Sequence, residues 1–541
     1  MNILEFFEKE SDAPKAWIMF MAILSGLANG LLLAIINVGA EMASNQQSET
    51  RFFFLYLIAF ALFVYTLRYA LSQAIIAVED VIRKVRVRVV NKIRSSELLF
   101  IESTGRSEIY TRLTQDSNLI SQSALIIISA GQAVIVLVFS LIYVALLSPL
   151  SFVLTLTSFS MGLLLYFSIE KKLTEELEQA NQKEAEFFES LDHVLDGFKE
   201  IKINQRKNDG LFNQVETISN DTEALKVSAG IKMITAIMFS QMAFYLLLAV
   251  LIFIVPAFSS THSEMIFKIT ATILFIEGPL GMLVAALPML ARTNVAVNNI
   301  SKLEAEIDAA SFKATDQLPA EQPPEFKEIQ LEEVIFHYTD KQGKSLFSVG
   351  PFNLTIKQGE ILFIVGGNGS GKSTLLKVLV GLYYPAVGCL YLDGEEIDHT
   401  NYQSYRELYS TIFTDFHLFD RFYGLPAIDE QRVKSLLRLM ELEKKTKYIE
   451  GKFTNTSLST GQKKRLAFVG AVLEDKPVYI FDELAADQDP HFRKYFYEVI
   501  LKDLQKQGKT VIAVTHDDKY FNTADRVLKM EYGNLVNYEH G

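Results

Sequence analysis

Six apolar runs constrain this chain more than any other feature. They cover residues 16–40, 52–76, 125–147, 150–169, 231–255 and 266–290. Each has about twenty residues or more, the length a helix needs to cross a hydrocarbon core. Their joins are uneven. Short links follow the first, third and fifth runs, and long polar links, 77–124 and 170–230, follow the second and fourth. Six crossings put all short links on one side and both long links on the other. The first long link holds Arg83, Lys84, Arg86, Arg88, Lys92 and Arg94. The second holds Lys171, Lys172, Lys199, Lys202, Arg206 and Lys207, whereas the short links hold mainly Arg51. The positive-inside rule therefore places the long links and both termini in the cytoplasm. Residues 1–15 carry Glu5, Glu8, Glu10 and Asp12 against Lys9 and Lys15. That is the wrong charge for a secretory leader, so the first run reads as a retained span.

The long links keep a helical period, so the helices are expected to continue beyond the membrane. Segments 104–116 and 195–202 each hold a glycine among mixed polar and apolar residues. Each reads either as a short helix laid against the soluble part of the chain or as a plain turn in a solvated link. Within the spans two ionisable residues stand out, Arg68 in the second and Glu277 in the sixth, the latter just before Gly278 and Pro279. An ionisable group in hydrocarbon needs a partner or a wet cavity. Glu277 therefore either lines a substrate path at a helix bend or forms a structural ion pair, with Arg68 as the candidate partner. The Gly-Pro pair is expected to break or kink that helix.

The composition changes near residue 323. The chain divides into a membrane part, 1–310, a linker, 311–326, rich in proline and polar residues, and a soluble α/β part, 327–541. In the soluble part Gly366, Gly367, Asn368, Gly369, Ser370, Gly371, Lys372 and Ser373 fit the pattern G-x-x-x-x-G-K-S/T. An apolar strand precedes them, and a helical pattern opens at Thr374. Backbone N–H groups of such a loop turn inward on phosphate oxygens, and the helix N-terminus adds its positive end. Lys372 is placed to reach the outer phosphates and the Ser373 hydroxyl to hold Mg²⁺. The alternative is a glycine-rich turn between a strand and a helix.

The other candidates follow in order. Residues 329–338 alternate and read as an edge strand ending at Tyr338, which either stacks on a base or is an ordinary strand-end tyrosine. Ser459, Gly461 and Gln462 stand at a helix start, where a hydroxyl and backbone N–H groups can meet an anion or simply cap the helix. Residues 478–483 form an apolar strand ending in Asp482 and Glu483. Carboxylates closing a buried strand downstream of a phosphate loop suit a metal ligand, Asp482, and a general base or positioner of water, Glu483. His516 ends another apolar strand, in reach of a γ-phosphate or water. The net charge of −12 excludes nucleic acid as the expected partner. The single cysteine, Cys389, rules out a disulfide framework and reads as a small buried residue.

Taken in this order, the six spans, Tyr338, the phosphate loop, the stretch from Leu458 to Gln462, Asp482 with Glu483, and His516 resemble an ABC exporter half-transporter. The resemblance covers essentially the whole chain. It implies a membrane all-α six-helix domain followed by an α/β P-loop NTPase domain. It also implies ATP and Mg²⁺ as cofactors, a second copy of the chain as partner, and contact with membrane lipid. Tyr338 matches the residue that stacks on adenine, and His516 matches the switch histidine. Ser459, Gly461 and Gln462 match the signature that binds nucleotide held by the opposite subunit. Residues 486–489 match the D-loop. Stretches 350–360, 413–415 and 482–493 are similar to the bacterial cyclic-peptide exporters that include pyoverdine, syringomycin and microcin exporters. That implies export of a cyclic peptide, lipopeptide or siderophore precursor across a bacterial inner membrane. A lipid flippase on the same scaffold is the first alternative; an ATP-gated channel or regulatory membrane protein is the second. Three departures accompany the resemblance. Thr414 stands where the family usually has a glutamine that joins Mg²⁺ and water to the membrane domain, and it is the candidate for that metal-side role here. Thr460 replaces a glycine in the signature. The region 420–456 is short and lacks the acidic-Arg-Gly run that usually precedes the signature.

Overall fold

Among the described residues the apolar runs lie in six long α-helices, accompanied by four short ones. They are α1 (Ile3–Glu10), α2 (Lys15–Ser44), α3 (Thr50–Arg94), α4 (Leu98–Thr104), α5 (Arg106–Thr111), α6 (Ser117–Leu147), α7 (Pro149–Asp196), α8 (Phe198–Ile203), α9 (Gln205–Ala249) and α10 (Ser260–Ala309). This is a computed structural model, and it describes residues 3–44, 50–257, 260–310, 326–339, 345–425 and 428–538. Most of the expected linker, 311–325, lies outside the described residues. At 1.5 Å per residue, α3 is about 68 Å long, roughly twice a hydrocarbon core. The helical links expected from the sequence are thus extensions of the spans.

Among the described residues five stretches are long and apolar enough to cross a membrane: Lys15–Met42, Thr50–Arg94, Glu108–Leu147, Gln205–Ile254 and Met265–Ala309. The fourth expected span corresponds to the apolar start of α7, Pro149–Leu164. The side chains at 165–167 and 169 lie outside the described residues. Helix α10 runs through Pro279 and Pro288 without a break, so Gly278 and Pro279 do not end it.

The chain forms two compact units, Met1–Arg86 with Thr111–Ser301, and Val87–Tyr110 with Lys302–Gly541. In the first, α2 and α6 approach closely because Gly30 has no side chain; a Cβ there would lie 2.2 Å from the Phe139 ring. Gln132 donates across the same pair to Ser25 at 3.0 Å. Helices α7 and α9 are joined by rungs of charge: Lys226 to Glu184 at 2.8 Å, and Glu176 to both Ser228 and Lys232. Arg68 and Glu277 are exposed within this unit, and no ion pair joins them. Within one chain Glu277 is therefore not paired with Arg68.

The second unit begins with a four-stranded antiparallel sheet, β2-β1-β4-β5, from β1 (Glu328–Thr339), β2 (Ser345–Lys357), β4 (Val387–Leu392) and β5 (Glu395–Ile397). Strand β1 is internal, paired with β2 on one side and β4 on the other. The edge assignment from its sequence alternation is corrected: Ile329, Leu331, Val334 and Phe336 alternate because one face is buried, not because one edge is free. Cys389, on β4, is half-exposed and donates to Glu396 at 3.1 Å, so it is not the buried residue expected.

The second sheet has the order β12-β11-β3-β10-β9-β6. Its strands are β3 (Ile361–Val365), β6 (Tyr409–Ile412), β9 (Val478–Asp482), β10 (Thr510–Val514), β11 (Arg526–Glu531) and β12 (Asn534–Asn537); a separate small hairpin is formed by β7 (Tyr448–Ile449) and β8 (Lys452–Phe453). Its strands are parallel except that β12 pairs antiparallel with β11. Every residue of β3, β9 and β10 is buried, as expected for central parallel strands covered on both faces. The covering helices include α11 (Lys372–Leu379), α12 (Tyr402–Arg406), α13 (Glu430–Leu439), α14 (Thr460–Glu474), α15 (Pro490–Tyr495) and α16 (Leu501–Lys506). Ligands of such sheets sit outside the carboxyl ends of the strands. Strands β3, β9 and β10 end there in the phosphate loop, in Asp482 with Glu483, and just before His516.

Candidate functional site

The loop after β3 can only be built from glycine at two positions. Gly366 has φ +148°, and a Cβ would stand 2.4 Å from the Met530 carbonyl oxygen. Gly371 has φ +105°, where a Cβ would meet Met530 and Val349 at 3.0 Å. It is also the N-cap of α11. Gly367, Asn368 and Gly369 complete the exposed rim of the loop. Lys372 folds back onto it, donating to the carbonyls of Gly366 at 2.8 Å and Gly367 at 2.9 Å. Burial pulls its ammonium below the ordinary lysine value, while Glu483 and Asp482 push the other way. The Ser370 hydroxyl is buried and has no hydrogen-bond partner.

The metal-side residues converge on one oxygen. Ser373 donates to Asp482 Oδ2 at 3.0 Å, and Thr414 donates to the same atom at 3.1 Å. Asp482 is buried. Burial raises its pKa, and the two hydroxyls draw it back down. Glu483 follows with φ +52°, a left-handed turn that few non-glycine residues adopt. The turn points its carboxylate at His516, whose Nε2 is 3.1 Å from Oε1. Behind this pair lies a cavity of about 220 Å³ lined by Arg493, Tyr497 and Asp517 among others.

Tyr338 lies one residue before the end of β1, beside the loop, its hydroxyl 3.0 Å from that of Thr374. Its ring meets Tyr383 edge-on at 5.9 Å, and Tyr383 stacks on Phe336 at 4.7 Å. Ser459 and Gln462 lie apart from these residues, as a reciprocal cap on α14. Gly461 meets the D-loop: a Cβ would stand 2.6 Å from the Asp487 carbonyl oxygen, and Gln488 donates to the Gly461 carbonyl at 3.0 Å. The structure thus gathers Tyr338, the phosphate loop, Thr414, Asp482, Glu483 and His516. The signature remains outside that cluster, and Arg68 and Glu277 belong to the other unit.

Several residues that the sequence did not single out take part. Helix α4 packs Leu98 and Leu99 on the core of this unit. Its Glu102 accepts from Lys377 at 2.8 Å and from the Tyr383 hydroxyl. Burial first, and then Glu102, raise the Tyr383 pKa, so that phenol stays a donor. Helix α4 ends at Thr104, capped by Gly105, so the contact at Glu102 lies just before the segment expected to make it. Lys464 and Arg493 tie the D-loop to its surroundings. Charged residues of this kind carry no local pattern; only a partner elsewhere in the chain marks them.

Comparison with known proteins decides the family. Residues 349–486 match the family described as ABC transporter, and residues 16–279 match the ABC transporter transmembrane region. The chain is 34% identical over 545 aligned positions to the ATP-binding protein SyrD of Pseudomonas syringae pv. syringae, covering 96% of this chain and 94% of that one. The chain is an ABC exporter half-transporter. It binds ATP and couples its hydrolysis to transport, as a multi-pass membrane protein. The transporter also resembles, over 40% of each chain at 28% identity, an ATP-dependent lipid A-core flippase of Chromohalobacter salexigens. Its fold matches a bacterial Atm1-family ABC exporter solved with ATP bound, with TM-score 0.76 and 18% identity over 96% of this chain and 93% of the other.

Proposed function

We propose that the transporter is a homodimer in a bacterial inner membrane that exports a cyclic peptide, lipopeptide or siderophore precursor, with termini and long links in the cytoplasm. The stretches similar to cyclic-peptide exporters carry the substrate class, and the end-to-end similarity to SyrD supports one architecture along the whole chain. The residues present fit Mg²⁺ and a nucleotide triphosphate. Two hydroxyls and a carboxylate meet at one point, an unpartnered buried hydroxyl faces the loop, and two glycines leave room that a Cβ would fill. When bound, ATP supplies the scissile phosphoanhydride and Mg²⁺ neutralises its charge. Ser373, Asp482 and Thr414 would hold the metal side. Lys372 releases its loop carbonyls to meet phosphate oxygens. Glu483 accepts a proton from water or orients it, with His516 holding the carboxylate in place. Tyr338 receives the base. Each chain offers one phosphate loop and one signature, and the two are apart within a chain. Two copies facing each other complete two sites.

The test is ATP hydrolysis by purified protein in lipid nanodiscs, wild type beside Glu483→Gln, with a panel of cyclic peptides and siderophore precursors. Stimulation by a panel member, lost in the variant, is expected. Turnover indifferent to every peptide but responsive to lipid favours the flippase reading, to which the Chromohalobacter relative lends support over 40% of each chain. Near-normal turnover in Glu483→Gln removes Glu483 from the mechanism.

A further inference from the structure

Lys464 is buried on α14, five residues after Ser459, with 4% of its surface exposed. An ammonium is not buried without partners. Lys464 has two, and both belong to the segment that carries Glu483. Its Nζ donates to the Glu483 carbonyl oxygen at 2.7 Å and lies 2.6 Å from Asp487 Oδ2. The Glu483 peptide is the strained one, at φ +52°. On its other side the Glu483 N–H donates to the Val514 carbonyl at 3.2 Å, which ties it to β10 and the His516 loop. The left-handed turn that aims the carboxylate is therefore held from two sides, by a strand and by one lysine. The same helix begins with the signature residues, and its Arg465 also grips the D-loop, bonding Gln488 at 2.7 Å and Asp489 at 2.6 Å. No contact of this kind follows from a signature motif alone, because it needs a lysine at this one position.

We propose that Lys464 is a positioning residue for Glu483. By fixing the Glu483 carbonyl it holds the carboxylate in line with His516, and it makes that aim depend on how the signature end of α14 is seated. A signature engaged by nucleotide on the opposite copy then readies the chain's own Glu483. This rests on the reading of Glu483 as the group that activates water. Lys464 touches no nucleotide in this scheme; it acts on turnover, not on binding.

The test compares Mg²⁺-ATP kinetics of the full-length transporter in nanodiscs for wild type, Lys464→Met, Lys464→Arg, Glu483→Gln and the Lys464→Met/Glu483→Gln double variant. Lys464→Met is expected to lower kcat about tenfold or more while KM for ATP changes less than about threefold. Lys464→Arg, which keeps a buried donor, is expected to recover most of the rate. In the Glu483→Gln background Lys464→Met is expected to add no further loss, because both act through one group. An unchanged kcat in Lys464→Met, or an equal loss in both backgrounds, overturns the proposal. If Glu483→Gln itself turns over normally, the underlying reading fails first. If Glu483→Gln is inactive and Lys464→Met is not impaired, only this inference fails. Should Lys464→Met not fold, Asp487→Asn decides: it removes the carboxylate that orients the ammonium from the solvent side. A lower kcat at unchanged KM supports the proposal, and an unchanged kcat overturns it.

Discussion

Two short helices, α4 and α8, interrupt the two long links, yet they meet opposite fates. Helix α4 is closed within its own chain. Leu98 and Leu99 are covered, and Glu102 is bonded to Lys377 and Tyr383. Helix α8 carries Phe198 and Ile203, which are 56% and 87% exposed, with Leu195 just before it at 64%. Exposed apolar residues clustered on so short an element mark a surface that some other body covers. One link is therefore packed on the ATP-binding unit of its own chain, and the other keeps an exposed apolar surface, which in the proposed homodimer is available to a second copy. If the chain pairs with a second copy as proposed, the two similar-looking segments divide the work, α4 bonded beside its own phosphate loop and α8 open to the partner.

The sharpest way to break this contrast is to make α8 polar. Phe198→Asp combined with Ile203→Asp is expected to lower peptide- or lipid-stimulated ATP hydrolysis by about tenfold or more, as for the loss of an apolar anchor from an interface. Thermal stability is expected to change little, because neither side chain is buried in its own chain. Stimulated hydrolysis at the wild-type rate would return α8 to a solvated turn.

A smaller effect is expected at α4. Glu102→Ala leaves the Lys377 ammonium and the Tyr383 hydroxyl without their shared acceptor, at a cost of about 1–3 kcal/mol. The readout is the thermal midpoint together with hydrolysis rate. A double-mutant cycle with Tyr383→Phe is expected to be non-additive by about 0.5–2 kcal/mol. Strict additivity would mean that Glu102 and Tyr383 are neighbours without being coupled, and the closed character of α4 would rest on Leu98 and Leu99 alone.

The same contrast explains what could be read from the sequence. The phosphate loop, Asp482 with Glu483, and His516 were legible because each is a local device: a strand end, a turn and a residue type at fixed spacing. The long apolar helices were legible because hydrocarbon demands length and composition, though not the continuity of α10 through Pro279. Strand β1 was misjudged because alternation reports which face is buried, while its edge status depends on β4, which follows about fifty residues later. Glu102, Lys377, Tyr383 and Lys464 were invisible for the same reason. Glu102 and Lys377 are separated by 275 positions, and each alone looks like a solvated charge.

Thr414 gives the finest test. In related exporters a longer glutamine at this position joins metal and water to the membrane domain, as the resemblance implies. Here the Thr414 hydroxyl is spent on Asp482 at 3.1 Å, side by side with Ser373. Helix α4 has another route to the phosphate loop. Glu102 bonds Lys377 on α11, the helix that begins with Lys372 and Ser373, and reaches Tyr383, which meets Tyr338 and through it Thr374. If that route carries the signal, Thr414→Gln is expected to change peptide-stimulated hydrolysis by less than about twofold. Thr414→Ala removes one hydrogen bond from a charged acceptor, a loss of about 1.5–3 kcal/mol, and shows as a raised Mg²⁺ requirement with Ser373 still in place. A large gain in stimulation from Thr414→Gln would instead put the connection at residue 414. It would also reduce α4 to an anchor, and the difference between the two link helices would then be one of packing and not of signalling.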